Sequence, residues 1–178
     1  MLKALSMTLA AAVVAVGGSL AGAGSANAAT TGSASAQAAQ SAQSANGRSI
    51  CYHAHVQDIG WQNFVACNGA IAGTTGQAKS IEALTFATAG TGGLCVRAHV
   101  ANVGWQSWVC GGDGQDLTVG TTGQNRAIEA VEIQISTGQV AAQAHVRNIG
   151  WQSAVAGYDI VVGTTGQNLP IEAIAAAV

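Results

Sequence analysis

Three kinds of side chain recur at matched places and carry whatever chemistry this chain can do. His55, His99 and His145 each sit in an Ala-His-Val triplet, 44 and 46 residues apart. Glu82, Glu129 and Glu172 each sit in Ile-Glu-Ala, and Trp61-Gln62, Trp105-Gln106 and Trp151-Gln152 each follow a glycine. An indole beside an amide is a group that can stack on a sugar ring and hydrogen-bond its hydroxyls, so Trp61, Gln62, Trp105, Gln106, Trp151 and Gln152 are candidate ligand contacts. Trp108 joins them as a lining residue, because its counterparts are Phe64 and Ala154. The competing reading places the repeated indoles in the core, between copies.

The glutamates fall on strand faces that are otherwise apolar. Simple alternation puts Glu129 with Val131, Ile133 and Ile135, Glu82 with Leu84 and Phe86, and Glu172 with Ile174. A carboxylate there is costly unless hydrogen-bonded. Its partner must recur with it: the histidine, the indole N–H, or the Thr hydroxyls and backbone N–H groups of Gly-Thr-Thr-Gly. One polar network per copy, holding His55, His99 and His145 with Glu82, Glu129 and Glu172, is therefore expected. Three imidazoles could instead meet on a threefold axis as a metal site. Their strand neighbours His53, Arg97 and Gln143 are polar and varied, which turns that face outward, and no metal or other cofactor is expected.

Catalysis has little to stand on. Acid–base pairs and triads need distinct residues in one asymmetric constellation, whereas the conspicuous polar residues here come in threes. The unique acids Asp58, Asp113, Asp116, Glu132 and Asp159 fall in loops or on an exposed strand face. Ser107 and Ser153 lack a neighbouring base, and no Gly-x-Ser-x-Gly or His-Glu-x-x-His motif occurs. No catalytic residue is assigned.

The elements that must position these groups are three copies of one unit, spanning 50–90, 94–137 and 139–178. Their skeleton is A-H-V-x-x-[IV]-G-W-Q, then G-T-T-G-Q, then I-E-A. Each copy opens with a period-two segment, clearest where Leu94, Val96, Ala98 and Val100 alternate with Cys95, Arg97 and His99. Each closes with another strand, as in Ile128–Ile135. The glycine motifs between them read as turns or bulges, and copy two carries three extra residues around Gly111–Asp116. No copy is long enough for its own core. The expected fold is all-β, with three tandem repeats around a pseudo-threefold axis, β-trefoil or β-prism-like; an open solenoid would leave sheet edges bare.

Cys51 and Cys95 are equivalent, Cys67 and Cys110 nearly so, and copy three has Ala141 and Ala156 at the matching places. Their joint absence argues for pairing within a copy, Cys51 with Cys67 and Cys95 with Cys110. Closing a loop of about 15 residues contributes about 3 kcal/mol.

The rest of the chain points outside the cell. Residues 1–28 have the form of an export signal: Lys3, an uncharged apolar run, and Ala26-Asn27-Ala28 as a small-x-small cleavage pattern. Residues 29–47, mostly Ala, Ser, Thr, Gln and Gly, read as a flexible linker. That leaves 48–178 as a single domain, secreted and not inserted in a membrane after cleavage. The whole chain has six basic and eight acidic residues; without Lys3 five face eight, a formal charge of −3. No basic patch is available for nucleic acid or an anionic membrane.

The pattern H-V-x-x-[IV]-G-W-Q, G-T-T-G-Q, I-E-A resembles the ChW repeat, named for its clostridial, hydrophobic, Trp-containing character, over essentially all of 50–178. Gly60-Trp61-Gln62, Gly104-Trp105-Gln106 and Gly150-Trp151-Gln152 match its hallmark. The resemblance implies a secreted or surface-located binding or adhesion protein of a Gram-positive bacterium. Family repeats often carry a second aromatic where this chain has Phe64, Trp108 and Ala154, so copy three is expected to bind more weakly; the cysteines are a departure. The partner expected is a polysaccharide or cell-wall component met at up to three equivalent shallow sites, or an extracellular protein if the indoles are core. A glycan-active enzyme is the remote third reading.

Overall fold

Alternation of apolar and polar residues carries each copy into strands, and a computed structural model describes residues 47–178. The export signal and nearly all of the linker lie outside the described residues. Copy one forms β1 (Ser49–Val56), β2 (Gly60–Trp61), β3 (Ala66–Cys67), β4 (Ala72–Gly73) and β5 (Ile81–Ala89). Copy two forms β6 (Leu94–Val100), β7 (Gly104–Trp105), β8 (Val109–Gly111), β9 (Leu117–Gly120) and β10 (Ile128–Ile135). Copy three forms β11 (Val140–Val146), β12 (Gly150–Trp151), β13 (Val155–Gly157), β14 (Asp159–Gly163) and β15 (Ile171–Ala177). The described residues contain no helix.

The strands make three five-stranded antiparallel sheets. In each, the long opening and closing strands of one copy pair along their length, β1 with β5, β6 with β10 and β11 with β15. The fourth strand of every copy leaves for another sheet: β9 pairs β5, β14 pairs β10 and β4 pairs β15. This cyclic exchange ties copy two to one, three to two and one to three. It explains why no copy needs its own core. The inner faces of the opening strands, Ile50, Tyr52, Ala54 and Val56 in copy one and their equivalents, pack into one common apolar cluster with the closing strands.

The exchange is imperfect only at β4. There the buried Tyr52 hydroxyl donates to the Ala70 carbonyl and accepts from the Ala176 N–H at 2.8 Å. A phenol bridges two strands that pair directly in the other sheets, where Phe86 faces Leu117. Burial outweighs the backbone hydrogen bonds and pushes this phenol up to about 12.

Both disulfides lie directly across strand pairs: Cys51–Cys67 joins β1 to β3 and Cys95–Cys110 joins β6 to β8. Ala141 faces Ala156 in the same register in copy three. The extra loop of copy two is held by Asp113. Its carboxylate takes the Thr88 and Thr91 hydroxyls at 2.9 and 2.8 Å and the Gly92 N–H at 2.8 Å. Desolvation pulls this carboxyl up, but the Thr91, Thr88 and backbone hydrogen bonds win and hold it below its ordinary range.

Candidate functional site

Each closing strand begins with a bulge. Val100 pairs with Ile128 and His99 with Ala130, leaving Glu129 as the extra residue; Glu82 and Glu172 occupy the same place. The inserted residue lets Ile128 and Val131 both face the core, since they oppose Val100 and Ala98. This corrects the simple alternation that put the glutamates among the core residues. Glu82, Glu129 and Glu172 are turned toward the histidine face instead, and remain only 6, 5 and 4% exposed.

There the carboxylates meet the imidazoles. Nδ1 lies 3.2 Å from Glu82 in His55, 3.0 Å from Glu129 in His99 and 3.4 Å from Glu172 in His145. The contact is off the line of a straight ring N–H bond, so it is an ion-pair-distance contact rather than an aligned hydrogen bond. Each histidine ring also abuts a tryptophan, with ring centroids 5.3, 5.3 and 5.5 Å apart and planes at 82, 81 and 78°. Among the described residues no group of three His, Cys, Asp or Glu side chains could hold a metal ion.

Gln62, Gln106 and Gln152 are placed differently from the sequence reading. Each amide is spent on the first glycine of its own Gly-Thr-Thr-Gly: Oε1 accepts from the N–H of Gly73, Gly120 and Gly163 at 2.7, 2.7 and 2.9 Å. Nε2 donates back to the same glycine's carbonyl at 3.0, 3.1 and 3.3 Å. These glycines have φ near +90° (97, 89 and 95°), and a Cβ on any of them would lie 2.3 Å from the carbonyl of Glu172, Glu82 or Glu129 on the adjoining sheet. The next N–H, of Thr74, Thr121 or Thr164, donates to that same carbonyl at 2.8 Å. The repeated motif is therefore the seam between copies. Its glutamine clamps the glycine, the glycine permits the close approach, and the bulge supplies the carbonyl. The clamp uses one N–H and one lone pair of each amide and fixes its position at the seam.

The tryptophans are not core. Trp61 is 40% exposed and Trp151 37%, and Phe64 is 45% exposed. Yet the three faces differ, because three positions around the common scaffold vary. In copy two the Arg97 guanidinium lies between the indoles, 4.9 Å from the Trp105 ring centre and 4.6 Å from that of Trp108, while Glu132 holds it at 2.6 Å. That stack covers one face of both rings, so the three indole faces are not identical in their surroundings. In copy one the stacked place belongs to His53, tilted over Trp61 at 5.0 Å with a ring nitrogen on the Gln62 carbonyl. His53, Phe64 and Val65 there line a shallow pocket of about 230 Å³. Copy three has Gln143 and Ala154 at these positions, and a flat groove of about 170 Å³ is lined by alanines, Gln143 and Gly69.

Fold and seam together define a class: a closed protein of three strand-exchanging repeats that displays one histidine-backed indole per copy. The chain matches the family described as Clostridial hydrophobic W, ChW, over 55–90, 99–137 and 145–177, more than half its length, and belongs to that family. No curated protein and no solved structure matches it.

Proposed function

We propose that this is an extracellular binding or adhesion module without catalysis, which recognises a carbohydrate or cell-wall polymer by stacking on exposed indoles. The observation that carries the reading is the exposure of Trp61 with Phe64, and of Trp151, each ring fixed from behind by His55 or His145. A flat ring held rigid at the surface loses little entropy on stacking. The two disulfides suit an oxidising compartment. Because the glutamines are committed to the seam, polar contacts to a ligand come from groups around the ring, such as His53 and Asn63 in copy one and Gln143 in copy three. Weak faces on one body combine by multivalency on a polymer.

Titration with solubilised peptidoglycan fragments and common polysaccharides, followed by Trp fluorescence, tests this. Saturable change is expected, lost stepwise in Trp61→Ala and Trp151→Ala with the fold intact. The absence of any saturable response to every glycan would remove the carbohydrate reading and turn attention to protein partners.

A further inference from the structure

Away from the indole faces, the three copies meet around a polar pocket of about 270 Å³. Gln57, Ala101 and Arg147, each the first residue after an opening strand, all line it. They are equivalent positions from all three copies, which places the pocket on the pseudo-threefold axis. The same cyclic order governs its hydrogen bonds. Gln57 of copy one donates to the Asn125 side chain of copy two at 3.3 Å, and Arg147 of copy three donates to the Ala78 carbonyl of copy one at 2.7 Å. Ala78, Asn125 and Asn168 are themselves equivalent, with φ of 52, 51 and 57°.

Arg147 makes one third of this pocket different. Its Nε donates to Glu172 Oε1 at 2.9 Å, and Nη2 also reaches the Ser80 hydroxyl at 3.0 Å. Glu172, so covered, does not line the pocket, whereas Glu82 and Glu129 do. In copy two the arginine's place is taken by Ala101, and in copy one Gln57 turns to Asn125. Histidine contacts Oε2 of Glu82 and of Glu129. Their Oε1 atoms have no hydrogen-bond donor among the described residues, although both side chains are more than nine-tenths buried. Both side chains line the pocket, so a donor placed there can reach them. In copy three the same oxygen is met by a guanidinium.

We infer that the axial pocket binds a guanidinium-bearing ligand, which sets its N–H groups on Glu129 as Arg147 sets its own on Glu172. The planar fork of a guanidinium fits a carboxylate and the neighbouring carbonyls at once. The side chain of Ala101 leaves the approach to Glu129 open.

The test is an NMR titration of the full chain with methylguanidinium, with neutral methylurea and calcium chloride as comparisons. Saturable shifts of the Ala101 and Ala127 amides are expected with methylguanidinium alone. Ala101→Arg supplies the guanidinium from within the chain; it should keep a folded spectrum, melt higher and weaken the response at least roughly tenfold. Glu129→Gln should weaken it similarly, and serves alone if Ala101→Arg does not fold. Equal shifts with methylurea, stronger shifts with calcium, no shift at all, or a response unchanged in both variants would overturn the inference.

Discussion

Replacing Gln106 by alanine separates a seam clamp from a ligand contact. The change removes two hydrogen bonds at once, the 3.1 Å bond to the Gly120 carbonyl and the 2.7 Å bond from its N–H. Gly120 has little room to move, because even a Cβ there would lie 2.3 Å from the Glu82 carbonyl, and Thr121 is bonded to the same oxygen at 2.8 Å. Each bond is worth about 1 kcal/mol net, and a half-buried group left unpaired adds to that, so the loss is about 2–3 kcal/mol. For a cooperative domain of this size that lowers Tm by roughly 6–15 °C. Thermal unfolding by circular dichroism reads the shift, with a urea series confirming an unchanged m value and a lower midpoint. Gln106→Met, similar in length but without either bond, should fall with Gln106→Ala. Two variants as stable as the parent, with glycan binding lost, would refute the clamp and return Gln106 to the ligand.

Other consequences follow from particular contacts. Tyr52→Phe leaves the Ala70 carbonyl and the buried Ala176 N–H without their bridge and should cost about 1–3 kcal/mol in urea unfolding. Since the folded phenol is raised to about 12 against an ordinary value near 10, its contribution is complete below pH ~10 and is lost as pH rises towards 12, on the order of 3 kcal/mol in all; this alkaline loss should vanish in Tyr52→Phe. The paired change Cys51→Ala with Cys67→Ala should lower stability by about 3 kcal/mol while keeping the spectrum of the parent, as Ala141 and Ala156 already face each other in copy three. Arg97→Ala should raise acrylamide quenching of the Trp fluorescence by uncovering Trp105 and Trp108; unchanged quenching would show that the guanidinium does not cover them.

Much of this fold was legible because its signals are local. Alternation in Leu94–Val100 marks a strand, and the joint loss of both cysteines in copy three points to the two disulfides that form. The glutamates show where local rules stop. Alternation put Glu129 beside Val131, but one bulge residue reverses its face, and a bulge follows from strand pairing rather than from composition. Gln62, Gln106 and Gln152 looked like sugar-binding amides because their partner is a backbone glycine 11, 14 and 11 residues on. The constant co-occurrence of that glutamine with Gly-Thr-Thr-Gly is the signal that could have tied them. The sequence marks Arg97 only as one of the varied residues of an outward face and gives Arg147 no role, for the opposite reason. Attention to what repeats passes over the positions that vary, and His53, Arg97 and Gln143, like Gln57, Ala101 and Arg147, make the three copies unequal.

The central claim is that the exposed indoles of copies one and three bind while the arginine stacked on the indoles of copy two weakens binding there. Co-sedimentation with insoluble peptidoglycan tests it most directly, comparing the parent chain, Trp105→Ala and the double variant Trp61→Ala with Trp151→Ala. The account predicts that the parent and Trp105→Ala pellet alike and that the double variant, still folded, stays in solution. A double variant that pellets like the parent, or binding lost in Trp105→Ala alone, would contradict it.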